Sequence, residues 1–256
     1  MPEKHFYEQE KYTQDYLLPY FLNVIPDFKK KSILEVGCAE GGLLTSLQTL
    51  GIKVCGVEIS PDRAALAREK NNSLKIIVGD ITDPALPGIL NEKFDLIIMR
   101  EVIEHIYDKE AAFNNLDKLL NTNGFLFISF PPKRSPFAGH QQIGKSFLKA
   151  IPYLHTLPLR WLKLAAGSLG ENPGYIDEIK LHYNTGCTIK KFEDLCAEKN
   201  FIPVKKDLFL FRPIYSQRFG LPTLKLPGIP IIREYISFGC EAVLQKVSRD
   251  QDKKKL

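Results

Sequence analysis

Between residues 32 and 130, short apolar runs alternate with amphipathic stretches. The runs are "SILEV" (32–36), "KVCGVE" (53–58), "LKIIVGD" (74–80), "FDLIIM" (94–99) and "GFLFISF" (124–130). Each is nearly all apolar, the pattern of a strand covered by helices on both faces. The segments between them read as helices. Ser60-Pro61-Asp62 supplies a cap and a first-turn proline for one. Another carries Phe113, Leu116, Leu119 and Leu120 as a core-facing stripe. Alternation of this kind with short connections predicts an α/β fold with a doubly wound, mostly parallel sheet.

The second half is less regular. "TIKKFEDLCAEKN" (188–200) predicts an amphipathic helix with Phe192, Leu195 and Cys196 on one face. "FIPVKKDLF" and "SFGCEAVLQK" predict two late strands. Between them, residues 208–237 read as a Pro-rich hairpin elaboration, and residues 133–181 as a long insertion. No internal repeat is evident. The whole is expected to be one domain over 1–256.

Composition changes little in this picture. With 44% hydrophobic and 25% charged residues, the chain is expected to be globular throughout. A net charge of +5 does not by itself indicate nucleic acid. Five widely spaced cysteines, with no Cys-x-x-Cys pair, argue against zinc fingers and a disulfide framework. They fit reduced thiols in a cytoplasmic protein. The first residues lack a signal-peptide core, and no run is long enough to span a membrane. The ending "SRDQDKKKL" reads as a loose charged tail.

In a doubly wound sheet the ligand binds beyond the carboxyl ends of the strands. After the first strand, "ILEVGCAEGG" gives Glu35 and Gly37, then Gly41 and Gly42 at a helix start. Glycines admit a ligand to the backbone, and a helix N-terminus offers free N–H groups. Glu58 ends the second strand and can accept both hydroxyls of a ribose. Asp80 ends the third and can accept from an exocyclic amine. "REVIEH" (100–105) ends the fourth. Any one of these is commonplace, but four in order point to a nucleoside-containing cofactor. Gly37-x-Ala39-x-x-Gly42 also leaves a nicotinamide cofactor to consider, although the later motifs do not suit one.

"ILEVGCAEGG", "GVEIS", "VGDI", "FDLIIMREVIEHI" and "NTNGFLFISFP" together resemble the successive motifs of class I S-adenosylmethionine-dependent methyltransferases. The resemblance is strong over roughly 30–131 and weak over 182–246. It extends to members of the ubiquinone-pathway O-methyltransferase kind. It implies a Rossmann-like seven-stranded sheet in the order 3-2-1-4-5-7-6, with the last strand antiparallel and a helical lid inserted. It also implies residue roles. Glu35, Gly37, Cys38, Ala39 and Gly41 would lie around the methionine part of S-adenosyl-L-methionine. Glu58 would hold the ribose, with Ile59 against the adenine. Asp80 and Ile81 would hold the adenine amine and ring, and Arg100 and Glu101 would sit beside the transferring methyl. Ala39 stands where the family pattern has its middle glycine. The cofactor has no pyrophosphate, so the loop can tolerate that small side chain.

The sulfonium carries an activated methyl, so the protein's tasks are to position the acceptor and exclude water. Glu101, His105 and His140 are the catalytic candidates, the histidines as bases for a hydroxyl acceptor. His182 is a third histidine of interest, expected to be structural. Glu101, Glu104 and His105 resemble a Glu-x-x-Glu-His element that holds a divalent metal in some related O-methyltransferases. Such ligands would suit Mg²⁺ or Mn²⁺. The same letters occur in metal-free relatives, so no metal is assigned from sequence.

From Lys133 to Gly170 there is no Asp or Glu, while Lys133, Arg134, Lys145, Lys149, Arg160 and Lys163 alternate with aromatic and apolar residues. This insertion is expected to be a lid over the substrate pocket, a role compatible with peripheral contact with an anionic membrane through 133–170. Residues 1–31, with Phe6, Tyr7, Tyr12 and Tyr16, are expected to form a helical flap over the cofactor. Arg212, Arg218 and Arg233 suit carboxylate or phosphate, or pair with acids of the chain. The favoured acceptor is an oxygen on a small-molecule or lipidic metabolite. A saccharide or an RNA 2′-hydroxyl is the runner-up, but nucleic acid lacks the support of a stacking module or dense basic cluster. A binding protein that merely retains the fold is disfavoured by the presence of both Glu58 and Asp80.

Overall fold

The computed structural model describes residues 2–248, so most of the charged tail lies outside the described residues. Apolar residues on both faces of one sheet organise the molecule. The helices α1 (Pro2–Tyr12) and α2 (Leu18–Val24) are joined by a π-helical turn at Thr13–Leu17. There follow β1 (Ile33–Val36), α3 (Gly42–Gln48), β2 (Val54–Glu58), α4 (Pro61–Lys70) and β3 (Ile76–Val78). Next come α5 (Leu86–Leu90), β4 (Phe94–Arg100), α6 (Lys109–Leu119) and β5 (Leu120–Phe130).

The insertion carries α7 (Leu159–Ser168) and α8 (Pro173–Thr185). It is followed by α9 (Ile189–Glu198), β6 (Phe201–Phe211), α10 (Pro213–Phe219), β7 (Leu224–Leu226), α11 (Ile232–Ile236) and β8 (Gly239–Lys246). The sheet order is β3-β2-β1-β4-β5-β8-β6-β7. The first five strands are parallel, and β8 runs antiparallel between β5 and β6. This is the expected order with one three-residue strand, β7, added at the edge. The Pro-rich stretch holds that strand and two short helices, α10 and α11.

Side chains alternate along each strand, and the two faces bury different cores. Leu34, Val36, Ile97, Met99 and Leu126 pack with Phe113 of α6 and Phe192 of α9. Ile33, Leu96, Ile98 and Phe127 pack on the other face with Phe21 of α2, Leu43 and Leu47 of α3, and Ala64 of α4. The lid has a small core of its own, in which Leu148, Leu154, Leu162 and Ala166 meet Tyr175, Ile176 and Ile179 of α8. The capping expectations hold in detail: Ser60 Oγ accepts from the Arg63 N–H at 3.4 Å, and Pro61 opens α4. All five cysteines are free and buried. Among the described residues no helix is long and apolar enough to cross a membrane.

Candidate active site

Two adjoining cavities lie at the carboxyl ends of β1, β2, β3 and β4. One, of about 450 Å³, is bordered by Gly37, Ala39, Glu58, Arg100, Glu101 and His105, with α1 closing it from above. The other, of about 390 Å³, is bordered by Asp80, Ile81, Thr82, Val102 and the stretch from His105 to Asp108. Gly37, Ile59, Val102 and His105 border both, so the two form one elongated site.

Gly37 must be glycine here. Its φ is 71°, and an added Cβ would lie 2.4 Å from Cγ2 of Val102. Gly42 is needed for another reason: a Cβ there would meet the Phe6 carbonyl oxygen of α1 at 2.4 Å. The Gly42 N–H is also taken, donating to Oε1 of Gln9 at 3.0 Å. Part of the free helix N-terminus expected from the sequence is therefore capped by the N-terminal flap. The flap is tied down further, since His5 hydrogen-bonds Glu40, which Arg63 also holds.

Glu58 is buried. One carboxylate oxygen accepts from the Ala39 N–H at 2.8 Å and the other from the Ser60 N–H at 3.0 Å. Each oxygen keeps a lone pair for a further donor, as a ribose diol would require. Asp80 spends one oxygen on the Thr82 N–H at 2.8 Å. Ile59, though apolar, is 66% exposed on the lip shared by the cavities, where a flat ring can rest on it. Ile81 is buried behind Asp80.

Three residues expected around the methionine part do not border either cavity. Glu35 is buried beneath the loop and accepts from Arg100 at 3.0 Å. Burial pushes its carboxyl up to about 7 against the pull of Arg100. Cys38 turns its thiol into the core beside Gly56. Gly41 caps α3 with φ 78°.

Glu101 also has a left-handed backbone, φ 54°, and its carboxylate is gripped on both oxygens by the Arg212 guanidinium. Sequence patterning gave no sign of this pair, because Arg212 comes from the irregular Pro-rich stretch. Arg218 lies 3.8 Å from Glu8, and Arg233 forks onto Glu193, so all three arginines meet acids of the chain. Glu104 is buried, with one carboxyl oxygen lacking any partner, and burial raises its pKa well above the ordinary carboxylate range.

His105 and His140, candidates from the sequence, come within 5.3 Å of each other, ring centre to ring centre. His182 of α8 joins them, 3.6 Å from His140 and 5.0 Å from His105. Burial lowers the pKa of all three, that of His182 to about 4, so they are neutral at physiological pH. His140 sits in a left-handed conformation, φ 51°, at the start of the lid. Nothing in the spacing 105, 140 and 182 could have foretold the cluster, since it is assembled by three separate elements.

An open α/β sheet in this order, with acids at the ends of β2 and β3 and a glycine loop after β1, defines a Rossmann-like methyltransferase domain. The chain belongs to that family: residues 7–171 match the family model described as a methyltransferase domain. It is 31% identical over 166 residues to a ubiquinone biosynthesis O-methyltransferase of Bartonella tribocorum, covering 61% of this chain and 66% of that one. It is 33% identical over 120 residues to the protein of that name from Pelagibacter ubique, covering 42% and 48%. The chain thus spans from about half to two thirds of the length of these curated relatives. Among solved structures, an S-adenosylmethionine-dependent methyltransferase from Mesorhizobium loti shares the fold with a TM-score of 0.57 at 14% identity, over 89% of this chain and 96% of that one. The magnesium protoporphyrin IX methyltransferase of Synechocystis, solved with S-adenosylhomocysteine, does so with a TM-score of 0.55 at 15% identity, over 93% and 83%.

Proposed function

We propose that this chain transfers the methyl of S-adenosylmethionine to an oxygen of a small-molecule or lipidic acceptor. One observation carries the reading. Glu58, each of whose oxygens keeps a lone pair, and Asp80, with one oxygen unspent, face a single elongated site, with the exposed Ile59 on the lip shared by its two cavities. That arrangement fits a nucleoside whose ribose meets Glu58 and whose amine meets Asp80. The bound cofactor would supply the electrophilic methyl. Arg100, Glu101 and His105 would border the methionine end, and Glu35 would steady Arg100 from below. Neutral His105 or His140 would take the acceptor's proton. The oxygen-methylating relatives favour oxygen over other acceptor atoms.

Calorimetric titration tests the cofactor reading. S-adenosylhomocysteine is expected to bind and NADH not to. Glu58→Ala should weaken binding by roughly tenfold or more, because a charge-assisted pair of hydrogen bonds contributes about 1.5–3 kcal/mol per bond. Stabilisation by NADH alone would overturn it. A methyl-transfer screen over quinol, catechol, sugar and lipid acceptors identifies the acceptor class.

We also infer that the lid touches anionic membranes. Ile143, Phe147, Trp161 and Leu164 stand exposed on it, beside Lys145, Lys149, Arg160 and Lys163. Each basic residue near anionic lipid contributes about 1 kcal/mol. Vesicles containing phosphatidylserine should co-sediment the protein at low salt. Trp161→Ala with Leu164→Ala should lose most of that binding. No sedimentation of the parent chain counts against the inference.

A further inference from the structure

We propose that His105, His140 and His182 form a binding site for a borderline-soft divalent ion of the zinc, cobalt or nickel type, and that this ion pins the lid to the catalytic sheet. One ligand nitrogen from each residue lies within 4.8 Å of the other two. The three come from different parts of the fold: the short turn Ile103–His105 after β4, the root of the lid, and the last turns of α8. Among the described residues, no other group of three or more His, Cys, Asp or Glu converges in this way.

The histidines face one another without satisfying one another. The ring centres lie 3.6 to 5.3 Å apart, yet no hydrogen bond joins any two of them. Nδ1 of His182 is buried with no partner, and so is one oxygen of Glu104, whose other oxygen lies 4.0 Å from Nε2 of His105. Leaving such groups unpaired in a buried place costs about 1–3 kcal/mol each. A cation among the rings would satisfy the nitrogens. The carboxylates of Glu104, and of Glu178 at 3.6 Å from Nε2 of His182, stand behind the imidazoles, where acids commonly orient ligating histidines. Zinc–nitrogen bonds of about 2.0–2.1 Å put tetrahedral ligand atoms roughly 3.3 Å apart. Side-chain rotations that shorten the ligand-atom separations by up to about 1.5 Å close the present gaps.

The donor set also selects the ion. Three imidazoles suit zinc, cobalt, nickel or copper rather than the oxygen-seeking Mg²⁺. Glu101, which an oxygen-rich site would need, is committed to Arg212. A nitrogen bound to the ion cannot also take the acceptor's proton, so the base role proposed for His105 or His140 belongs to the ion-free form, and the consequence of ion binding is mechanical. One ligand is on the sheet side, one at the lid's root and one on the helix that shares the lid's core, so the ion would cross-link all three.

The test uses the full chain without a polyhistidine tag, stripped by chelator and titrated with Co²⁺. One equivalent should bind, with the visible absorption of nitrogen-ligated tetrahedral or five-coordinate cobalt. Zn²⁺ should displace it and Mg²⁺ should not. His140→Ala, at a half-buried lid position, should lose the absorption while keeping a cooperative thermal transition. His182→Ala should lose it too. Zn²⁺ should slow protease cleavage within 143–170 of the parent chain by about threefold or more, through stabilisation of the closed form. Absent absorption in the parent chain, absorption unchanged in folded His140→Ala, or cleavage unaffected by Zn²⁺ would each overturn the proposal. Titrating S-adenosylhomocysteine into the same samples reads the cofactor site separately, so failure of one reading does not conceal the fate of the other.

Discussion

Ala39 and Gly37 occupy one loop, and both have left-handed backbones, at φ 52° and 71°. Their physical constraints nevertheless differ. At Ala39 a methyl already fits, and left-handed geometry costs an L-residue about 1–2 kcal/mol. Ala39→Gly relieves that strain but adds about 0.4–1 kcal/mol of unfolded-chain freedom. Stability should therefore stay within about 1 kcal/mol of the parent, and S-adenosylhomocysteine affinity within a few-fold. Gly37→Ala adds a methyl that meets Val102 at 2.4 Å on the cavity wall. It should destabilise by about 1–3 kcal/mol and weaken cofactor binding by at least tenfold, read by thermal denaturation and calorimetry. Equal behaviour of the two variants would mean that the loop is shaped differently. At this scale the sequence was informative about place wherever a residue is read from its own strand end: Gly37, Glu58 and Asp80 all border the site. It was silent where the role is set by a partner far along the chain. Glu35 reads as a ligand contact, yet its oxygen is taken by Arg100. Glu101 looks free, yet it is held by Arg212, 111 residues away.

Among the elements, β8 carries an unusual burden. It lies between β5 and β6 and places Glu241 in the buried interior, where the Tyr16 hydroxyl of the π-helical turn donates to it at 2.7 Å. Burial raises the Glu241 carboxyl to about 7, with Arg212 and the Tyr16 bond pulling the other way. A carboxyl raised in the fold keeps its proton between the unfolded value near 4.5 and the folded value near 7. Its contribution to stability is then largest at low pH and declines as pH rises through that window. Glu241→Gln keeps an acceptor for Tyr16 but cannot ionise. The variant should gain stability relative to the parent between pH 5 and 8, by about 1–3 kcal/mol, or several degrees in Tm. A constant difference across that range would show that Glu241 does not change charge in the folded protein. The strands of the parallel half were legible because apolar runs bounded by glycine and polar residues admit few alternatives. β7 was not, because three residues at a sheet edge, two of them exposed, leave no periodic trace. The π-helical turn was likewise invisible, since the aromatic spacing of Tyr12, Tyr16 and Tyr20 is that of an ordinary helix. Their rings stack at 5.3 and 5.7 Å through it.

At the scale of the molecule, the N-terminal segment and the 133–181 insertion are anchored by different means. The flap at residues 2–24 shares the core of one sheet face and is bonded to the cofactor loop through Gln9 and His5, and to Glu241 of β8 through Tyr16. The lid has a small core of its own, separate from both sheet-face cores. Elements with separate small cores open at lower free energy than those sharing the main one. The lid should therefore open as a unit while the flap stays seated, so that cofactor and acceptor spaces respond independently. Hydrogen exchange followed by mass spectrometry reads this directly. Without ligand, 143–181 should exchange faster than the parallel strands. S-adenosylhomocysteine should slow exchange in 2–12 and 36–42, where His5, Gln9, Gly37 and Ala39 border the cavity, and leave 143–181 largely unchanged. Zn²⁺ should do the reverse, slowing 143–181 through the three histidines. Protection of the lid by the cofactor analogue alone would show the two closures to be one coupled movement, because the sheet-side His105 would then report cofactor occupancy to His140 and His182 without any ion.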